Sequence, residues 1–407
     1  MFQLARELGT RVIVTATTHL GAWQIPLADR HIVAETPEEI GEIHEGITLI
    51  TGKLVGERSS PVNSSVLYWL REVAKNDQTP LLVEADGARQ KPLKAPAAHE
   101  PPIPEFVRTV VVVTGLSGLG EPVVETVFRE EEFERISDSA HQRVTAEMVV
   151  KALSHIEGGL KNIPEGARRV ALLNQADTPE LQAVAQKMSK ELLKKFDSVV
   201  VASLKEKKVW ATYERIAGIV LAAGESKRFG KPKQLLDWNG KPFIRQVAET
   251  ALGAGLSPVA VITGANAEEV EQALIGLDVI LVRNEGWKSG QASSIVAGVK
   301  SLPDNVGASF FLLADQPQIG AEVIRALMEL RAQNLSPILA PLVMEERRAN
   351  PVLFDRVTFP DLLALTGDVG GRAIFDKHKV EYLPWYNNDL LLDVDSPQDY
   401  ERLMHQP

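Results

Sequence analysis

Short apolar runs rich in β-branched residues alternate with segments of helical period along this sequence. That alternation predicts an α/β protein built on parallel sheets covered by helices. The 407 residues are comfortable for two domains. A charged, helix-prone stretch, 204–214, separates two sets of runs and places the boundary near residue 212. In the first half the expected strands are 11–15, 80–84, 109–114, 170–174 and 198–203. In the second half they are 216–222, 258–263, 278–282, 309–314 and 337–341.

Composition narrows the function classes. Charged residues make up 24% and hydrophobic residues 44%, which is ordinary for a globular protein. A net charge of −10 argues against a general nucleic-acid or membrane-surface binder, while leaving room for a local basic pocket. The absence of cysteine excludes disulfides, thiolate nucleophiles and Cys-ligated zinc or iron–sulfur sites. The eight histidines are scattered without an H-x-x-x-H or H-E-x-x-H pair, which argues against catalytic zinc. No apolar run is long enough to span a bilayer. The N-terminal MFQLARELGTR carries charges of both signs, unlike a secretory signal, so a cytoplasmic protein is expected.

The most informative segment is 218–233, GIVLAAGESKRFGKPK. An apolar run ends at Gly224, and a polar loop with Ser226, Arg228, Gly230 and Lys233 follows. A buried strand opening into such a loop places backbone N–H groups where an anion can sit. Arg228 and Lys233 add positive charge to the same place. This reads as a nucleotide-phosphate site, with the spacing of neither G-x-x-x-x-G-K-[ST] nor G-x-G-x-x-G. Further on, the apolar run 310–314 delivers Asp315 to the carboxyl end of a strand, followed by Gln316-Pro317. Open α/β sheets bind ligands at that edge, and a carboxylate there suits Mg²⁺ held jointly with substrate phosphates. In 392–399, LDVDSPQD, alternation on a short strand would turn Asp393 and Asp395 towards one cation. Asp399 reads as a helper at the start of the last helix.

The pattern L-A-A-G-x-S-x-R-x-G-x-x-K, carried by Leu221, Ala222, Ala223, Gly224, Ser226, Arg228, Gly230 and Lys233, resembles the signature of the MobA-like nucleotidyltransferases. Within them it is most similar to the molybdenum cofactor cytidylyltransferases. The likeness begins at about Ile216 and implies a Rossmann-like, GT-A-like α/β domain over 213–407. The segment from Asn284 through Trp287 and Gly290 to Ser294 is similar to the family's N-x-x-W-x-x-G-x-x-x-S-L element, which lines the base and ribose pocket. Together with Thr263 and Gly264 it completes the expected nucleotide-binding set. Gly290 permits close backbone approach, and Ser294 either caps the next helix or bonds the ligand. The resemblance assigns the metal to Asp315, and to Asp393 or Asp395 from the family's D-[IV]-D-T-P-x-D end motif.

Residues 347–351 (RRANP) and 367–372 (GDVGGR) resemble the family's acceptor-facing segments. They imply Arg348, Asn350, Gly370, Gly371 and Arg372 as substrate-binding residues, with Arg347 a further candidate for an acceptor phosphate. Ala349 stands where the family usually has Gly, and a Cβ there would obstruct a positive φ or a close ligand approach. The implied chemistry is in-line attack of an acceptor phosphate on the α-phosphorus of CTP, with pyrophosphate leaving. Arg228, Lys233 and Asp315 are the expected catalytic residues, with Mg²⁺ bridging the phosphates. The acceptor would be molybdopterin-bound molybdenum, and the product, molybdopterin cytosine dinucleotide, would serve an apo molybdenum hydroxylase. The Ala222-Ala223-Gly224 start favours the cytidylyl over the guanylyl branch. Two alternatives are a sugar-phosphate or phospholactate nucleotidyltransferase of the same fold, and a non-catalytic carrier of the cofactor.

The first half resembles the YqeC-type accessory proteins of selenium-dependent molybdenum hydroxylases. The likeness is carried by Thr15-Ala16-Thr17-Thr18-His19, the run 83–89 (VEADGAR), the run 92–96 (PLKAP) and 173–177 (LNQAD). It implies an incomplete P-loop-NTPase-like parallel-sheet domain over 1–212. The run 81–84 followed by Asp86 reads as a buried strand ending in acids, of the kind that supports Mg²⁺. Asn174-Gln175-Ala176-Asp177 reads either as a purine-reading device or as a helix cap at Asp177. The family's Gly-Gly-Lys-Thr-Thr loop is not found, and Thr51-Gly52-Lys53 lacks the residues to replace it. Residues 2–8 read as the helix that follows that loop. Either the start lies further upstream or this copy has lost nucleotide binding. No nucleotide hydrolysis is expected of this half, and an exposed sheet edge or apolar helix face is expected where the strand is missing.

Overall fold

The computed structural model describes residues 1–138, 142–225, 229 and 232–405. The chain forms two units, Met1–Trp210 and Ala211–Pro407. Among the described residues no helix is long and apolar enough to cross a membrane.

In the first unit, α1 (Phe2–Leu8) leads into β1 (Arg11–Ala16), followed by β2 (Arg30–Val33), β3 (Gly46–Thr51), α2 (Ser64–Asn76) and β4 (Leu81–Glu84). These strands pair in parallel in the order β2-β3-β1-β4. Ile13 packs with Ile50, Val66 and Leu70 on one face, and Val12 and Val14 pack with Phe2, Ala5 and Leu49 on the other. A strand covered on both faces needs an unbroken apolar run, which is why it is legible in sequence. A second four-stranded sheet contains β5 (Thr109–Gly115), β6 (Arg168–Asn174), β7 (Ser198–Ser203) and β8 (Lys208–Glu214) in the order β8-β7-β6-β5, with β8 running past Trp210, where the first unit ends. Helix α3 (Pro179–Leu192) lies between β6 and β7 in the chain.

Strand β8 corrects the helix-prone reading of 204–214. The dense charge runs from Lys205 to Lys208, and 204–207 forms a turn in which Lys207 takes φ +56°. From Val209 to Tyr213, β-branched and aromatic residues predominate, and they pair along β7.

The second unit is organised by one eight-stranded sheet. Its strands are β9 (Ile216–Ala222), β10 (Val259–Thr263), β11 (Ile280–Arg283), β12 (Ala308–Leu313), β13 (Ile338–Val343), β14 (Arg347–Arg348), β15 (Val352–Asp355) and β16 (Val380–Trp385). The order is β11-β10-β9-β12-β15-β13-β14, with β16 on β13. Strands β9 to β12 are parallel, but β15 runs antiparallel to both β12 and β13, so the sheet is mixed rather than all parallel. The sheet is buried on both faces. Val220 and Ala222 pack with Ile244 and Val247 of α4 (Phe243–Gly253) and with Ile324 and Leu327 of α6, while Ile219 packs with Ile295 and Val299 of α5. Here α5 is Gln291–Lys300, α6 is Ala321–Asn334, and α7 is the closing helix Pro397–Met404.

At the end opposite the functional edge, Arg331 of α6 is 1% exposed and ties three segments together. Its Nη2 donates to Glu214 (2.6 Å), Asp355 (2.6 Å) and the Gly307 carbonyl (3.1 Å). Removing one member of a buried ion cluster strands the others in a medium that solvates them poorly. Arg331→Met is expected to lower the unfolding free energy by about 3 kcal/mol, read by urea denaturation.

Candidate functional site

Strands β9, β10 and β12 bring their carboxyl ends together, the edge at which open α/β sheets bind ligands. The loop after β9 is held at its start by Gln234, which is 4% exposed. Its Nε2 donates to the carbonyls of Ala222 (3.0 Å) and Gly224 (2.7 Å). Gly264, just past β10, sits so close that a Cβ there would lie 2.8 Å from the Cβ atoms of both Ala223 and Trp287. The Ala265 N–H donates to the Ala223 carbonyl at 3.1 Å. Leu221, Ala222, Ala223, Gly224 and Gly264 are therefore one packed strand-end unit. Ser226, Arg228 and Gly230 of the signature lie outside the described residues.

Lys233 opens a short 3₁₀ turn, Lys233–Leu235, and its side chain is 14% exposed. Its ammonium donates to Asp395 at 2.6 Å and to Asp315 at 3.3 Å. Burial disfavours the Lys233 charge, but Asp395 and Asp315 outweigh it and raise the ammonium pKa. Asp315 follows β12 with 31% of its side chain accessible, yet protein surrounds it closely enough that loss of water is the largest influence on it. That desolvation raises its carboxyl pKa; Lys233 opposes the rise and the nearby charge of Asp393 adds to it.

Asp393 and Asp395 do not lie on a strand. Residues 392–395 are irregular, between the turn Asn388–Leu391 and α7. Val394 between them is fully buried with Leu236, Phe243 and Leu403. The two carboxylates diverge: Asp395 pairs with Lys233, and Asp393 accepts from the Nε2 of Gln316. Among the described residues no three carboxylate or imidazole groups assemble to hold an ion by themselves. Asp399 serves the helix start, in a capping box with Ser396.

Thr263 is buried and its hydroxyl donates to Glu271 at 3.2 Å. Asn284, 8% exposed, donates its Nδ2 to Ser293 (2.8 Å) and Ser294 (3.0 Å) and accepts from the Gly286 N–H (3.0 Å). Ser294 is no helix cap: Gly290 holds the N-cap position of α5, and Ser294 lies a turn inside the helix, pinned to Asn284. Gly290 has φ +111°, and a Cβ there would meet the Gly367 carbonyl oxygen at 2.4 Å. The N–H groups of Ala292 and Gln291 bond Gly367 and Asp368 at 3.2 Å each. The start of α5 is thus fastened to the segment that carries Gly370 and Gly371. A cavity of about 340 Å³ lined by Gly264, Asn284 and Trp287 adjoins this region.

On the acceptor side, Asn350 donates its Nδ2 to the Oε1 of Gln316 at 3.1 Å and accepts from Arg372 at 3.4 Å. Arg348 is directed elsewhere, with its guanidinium over Phe375 (5.9 Å) and Tyr382 (5.5 Å). Arg347 instead lines a cavity of about 450 Å³ with Val343, Met344, Asn388, Leu391 and Leu392. Ala349 is buried in the core and is not among the positive-φ residues, so its Cβ packs where a glycine would leave a gap. Gln234 and Gln316 were not singled out in the sequence. Each is a lone glutamine beside a signature residue, and nothing in its local pattern marks it as buried.

The first unit places a different ionic cluster after β4. Lys94 pairs with Asp86 and with Glu100 (2.7 Å), and Arg129 pairs with Glu100 through both guanidinium nitrogens. Asp86 is therefore already engaged by a lysine. Asp177 is not the helix cap; Thr178 caps α3, and Asn174 accepts from the Leu204 N–H at 3.0 Å, joining the ends of β6 and β7.

Comparison with known proteins gives the family of each part of the chain. Residues 218–382 match the model of the MobA-like NTP transferase domain, and residues 1–131 match that of the YqeC protein. Nicotine blue oxidoreductase of Paenarthrobacter nicotinovorans is 29% identical over 200 residues, covering 46% of this chain and 96% of the relative. The YqeC protein of Escherichia coli (strain K12) is 30% identical over 195 residues, covering 45% and 72%. A probable molybdenum cofactor guanylyltransferase of Bacillus cereus (strain Q1) is 30% identical over 139 residues, covering 34% and 66%. The second unit is a nucleotidyltransferase domain of the MobA-like type. The chain belongs to the YqeC family through its first part, where the YqeC domain stands.

Two pH effects follow. The raised Asp315 pKa means that the folded state binds this proton more tightly than the unfolded chain does, so ionisation costs stability as pH rises above the ordinary 3.8. Asp315→Asn should therefore raise the melting temperature at pH 7, with the gain disappearing on acidification below 3.8. Glu100 has the opposite sign. Burial alone would raise it, but bonds from Arg129 and Lys94 hold its carboxyl down at about 2. Its stabilisation is present above 4.5 and lost as pH falls towards 2, so Glu100→Gln should destabilise the first unit at neutral pH but not at pH 2.

Proposed function

We propose that the second unit transfers a cytidylyl group from CTP to the molybdenum cofactor and releases pyrophosphate. The observation that carries this reading is the strand-end Asp315 beside the Lys233 ammonium, at the carboxyl edge where the signature loop begins. The acceptor class is supported by the relative named as a molybdenum cofactor guanylyltransferase. The base assignment rests on the Ala222-Ala223-Gly224 loop start, which is similar to the cytidylyl branch.

In this reading an acceptor phosphate oxygen forms a bond to the α-phosphorus of CTP. The bond from that phosphorus to the oxygen bridging it to the β-phosphate breaks, and the electron pair leaves with pyrophosphate. The nucleophile is already anionic, so the site needs positioning and charge neutralisation rather than a strong base. Lys233, with Arg228, stabilises charge on the departing pyrophosphate. Asn284 and Ser294 shape the base side, and Gly290 lets the backbone approach closely. Asn350, Gly370, Gly371 and Arg372 face the acceptor. Arg348 serves the aromatic pair beneath it instead.

The donor set fits a divalent cation of the Mg²⁺ class. Asp315 and Asp393 are hard oxygen donors, with the Asp393 charge close enough to raise the Asp315 carboxyl pKa, and two carboxylates plus substrate phosphates suffice for such an ion. When bound, the ion neutralises phosphate charge and polarises the α-phosphorus. Asp395 remains with Lys233. The YqeC-like first unit, taken as 1–212, is proposed as an accessory to cofactor delivery, with an apo molybdenum hydroxylase as the receiving partner.

The test is pyrophosphate release from the purified chain with molybdenum cofactor and CTP, GTP or ATP in turn. Release with CTP alone is expected, abolished by chelation and restored by Mg²⁺. Lys233→Met should lower kcat by about 10²–10³-fold, and Asp315→Ala should abolish turnover. Preference for GTP would overturn the base assignment. No release with any nucleotide, despite tight cofactor binding, would favour a carrier.

A further inference from the structure

The irregular segment that carries Asp393 is fixed through its backbone and its buried neighbour. Gln318 donates its Nε2 to the carbonyls of Leu392 (2.7 Å) and Asp389 (3.1 Å), and Val394 is fully buried. None of this orients the exposed carboxylate of Asp393. That group also stands near Asp315, whose carboxyl it perturbs, and like charges at such range repel. Something has to hold it there.

Gln316 is placed to do so. It directly follows Asp315, is 2% exposed, and its backbone is set by a turn in which its N–H bonds the Leu313 carbonyl (3.2 Å) and its carbonyl accepts from Ile319 (3.3 Å). Both ends of its carboxamide are engaged. The Nε2 donates to Asp393, and the Oε1 accepts from Asn350, which in turn accepts from Arg372. Only a carboxamide does both: a glutamate offers acceptors alone, and methionine offers no donor. Because the acceptor is ionised, the bond to Asp393 is of the stronger, charge-assisted kind.

We infer that Gln316 is a positioning residue that holds the Asp393 carboxylate beside Asp315, so that the two present one divalent-cation site and the Asn350–Arg372 acceptor side is registered to it. Gln316 touches neither nucleotide nor acceptor in this role. The inference rests on the proposed reading of Asp315 and Asp393 as the cation-holding pair.

The experiment measures Mn²⁺ binding to the full chain with CTP present, by the loss of the free-ion EPR signal, without turnover. Partners that orient metal ligands typically contribute about 10–100-fold in affinity. Gln316→Met is expected to weaken Mn²⁺ binding within that range, and Gln316→Glu at least as much. In an Asp393→Asn background, Gln316→Met should have no further effect, because the carboxylate it positions is gone. Comparison of urea midpoints shows which variant retains the fold; if Gln316→Met unfolds, Gln316→Glu carries the same test. Wild-type binding with unchanged affinity in the folded variant overturns the positioning role and leaves the proposed function standing. Equal losses from Gln316→Met with and without Asp393→Asn also overturn it, as a structural defect would do. Absence of Mn²⁺ binding in the wild type overturns the cation reading and this role with it.

Discussion

The second unit depends on one electrostatic arrangement, an ammonium set among carboxylates at the edge of a parallel sheet. Asp315, Asp393 and Asp395 come from two regions of the chain separated by more than a sheet strand and helix α6. Gathered without a cation, they would repel one another. Lys233 offsets this by bonding Asp315 and Asp395 together, at a modest distance from water. The same pairing ties the loop after β9 to the end of β12 and to the segment before α7. A local charge balance and the relative placement of three chain segments are therefore one interaction.

Around that centre the structure relies on close backbone approach. Gly264 against Ala223 and Trp287, and Gly290 against Gly367, leave no room for side chains. Gln234 uses its carboxamide to bridge two loop carbonyls, as Gln316 uses its own to bridge Asp393 and Asn350. Buried carboxamides suit this work, because each supplies a donor and an acceptor without adding charge to a site already crowded with it. The apolar faces of the sheet hold these groups still: Val220 and Ala222 on one side and Ile219 on the other anchor the strand from which the loop departs.

The first unit shows the same device in a different setting. Lys94 and Arg129 hold Asp86 and Glu100 after strand β4, and Phe128 lies under the cations of Arg89 (4.8 Å) and Arg129 (4.6 Å). Its acids are neutralised within the unit, which makes the cluster a structural brace for the segment between β4 and β5. The cross-strand link from Asn174 to Leu204 performs a related task at the ends of β6 and β7.

Much of this was legible in the sequence. All ten expected strands exist, and the central ones, such as β1, β9, β10 and β12, are buried on both faces and so demand a continuous apolar run that few other structures tolerate. The signature around Gly224 and the strand-end Asp315 were legible for the same reason: short-range spacing places them on one loop and one strand end. What the sequence could not determine was direction and partnership between distant segments. Residues 208–214 became a strand because β7 offered an edge to pair with, against the pull of the charged run before them. Asp393 and Asp395 diverged because the core claimed Val394 and left no strand to align them. Ser294 turned to Asn284, Arg348 turned to Phe375 and Tyr382, and Ala349 entered the core. Local sequence determined which elements form and which residues stand at their ends. Tertiary structure alone decided which side chains meet, because each meeting depends on packing between segments that are far apart in the chain.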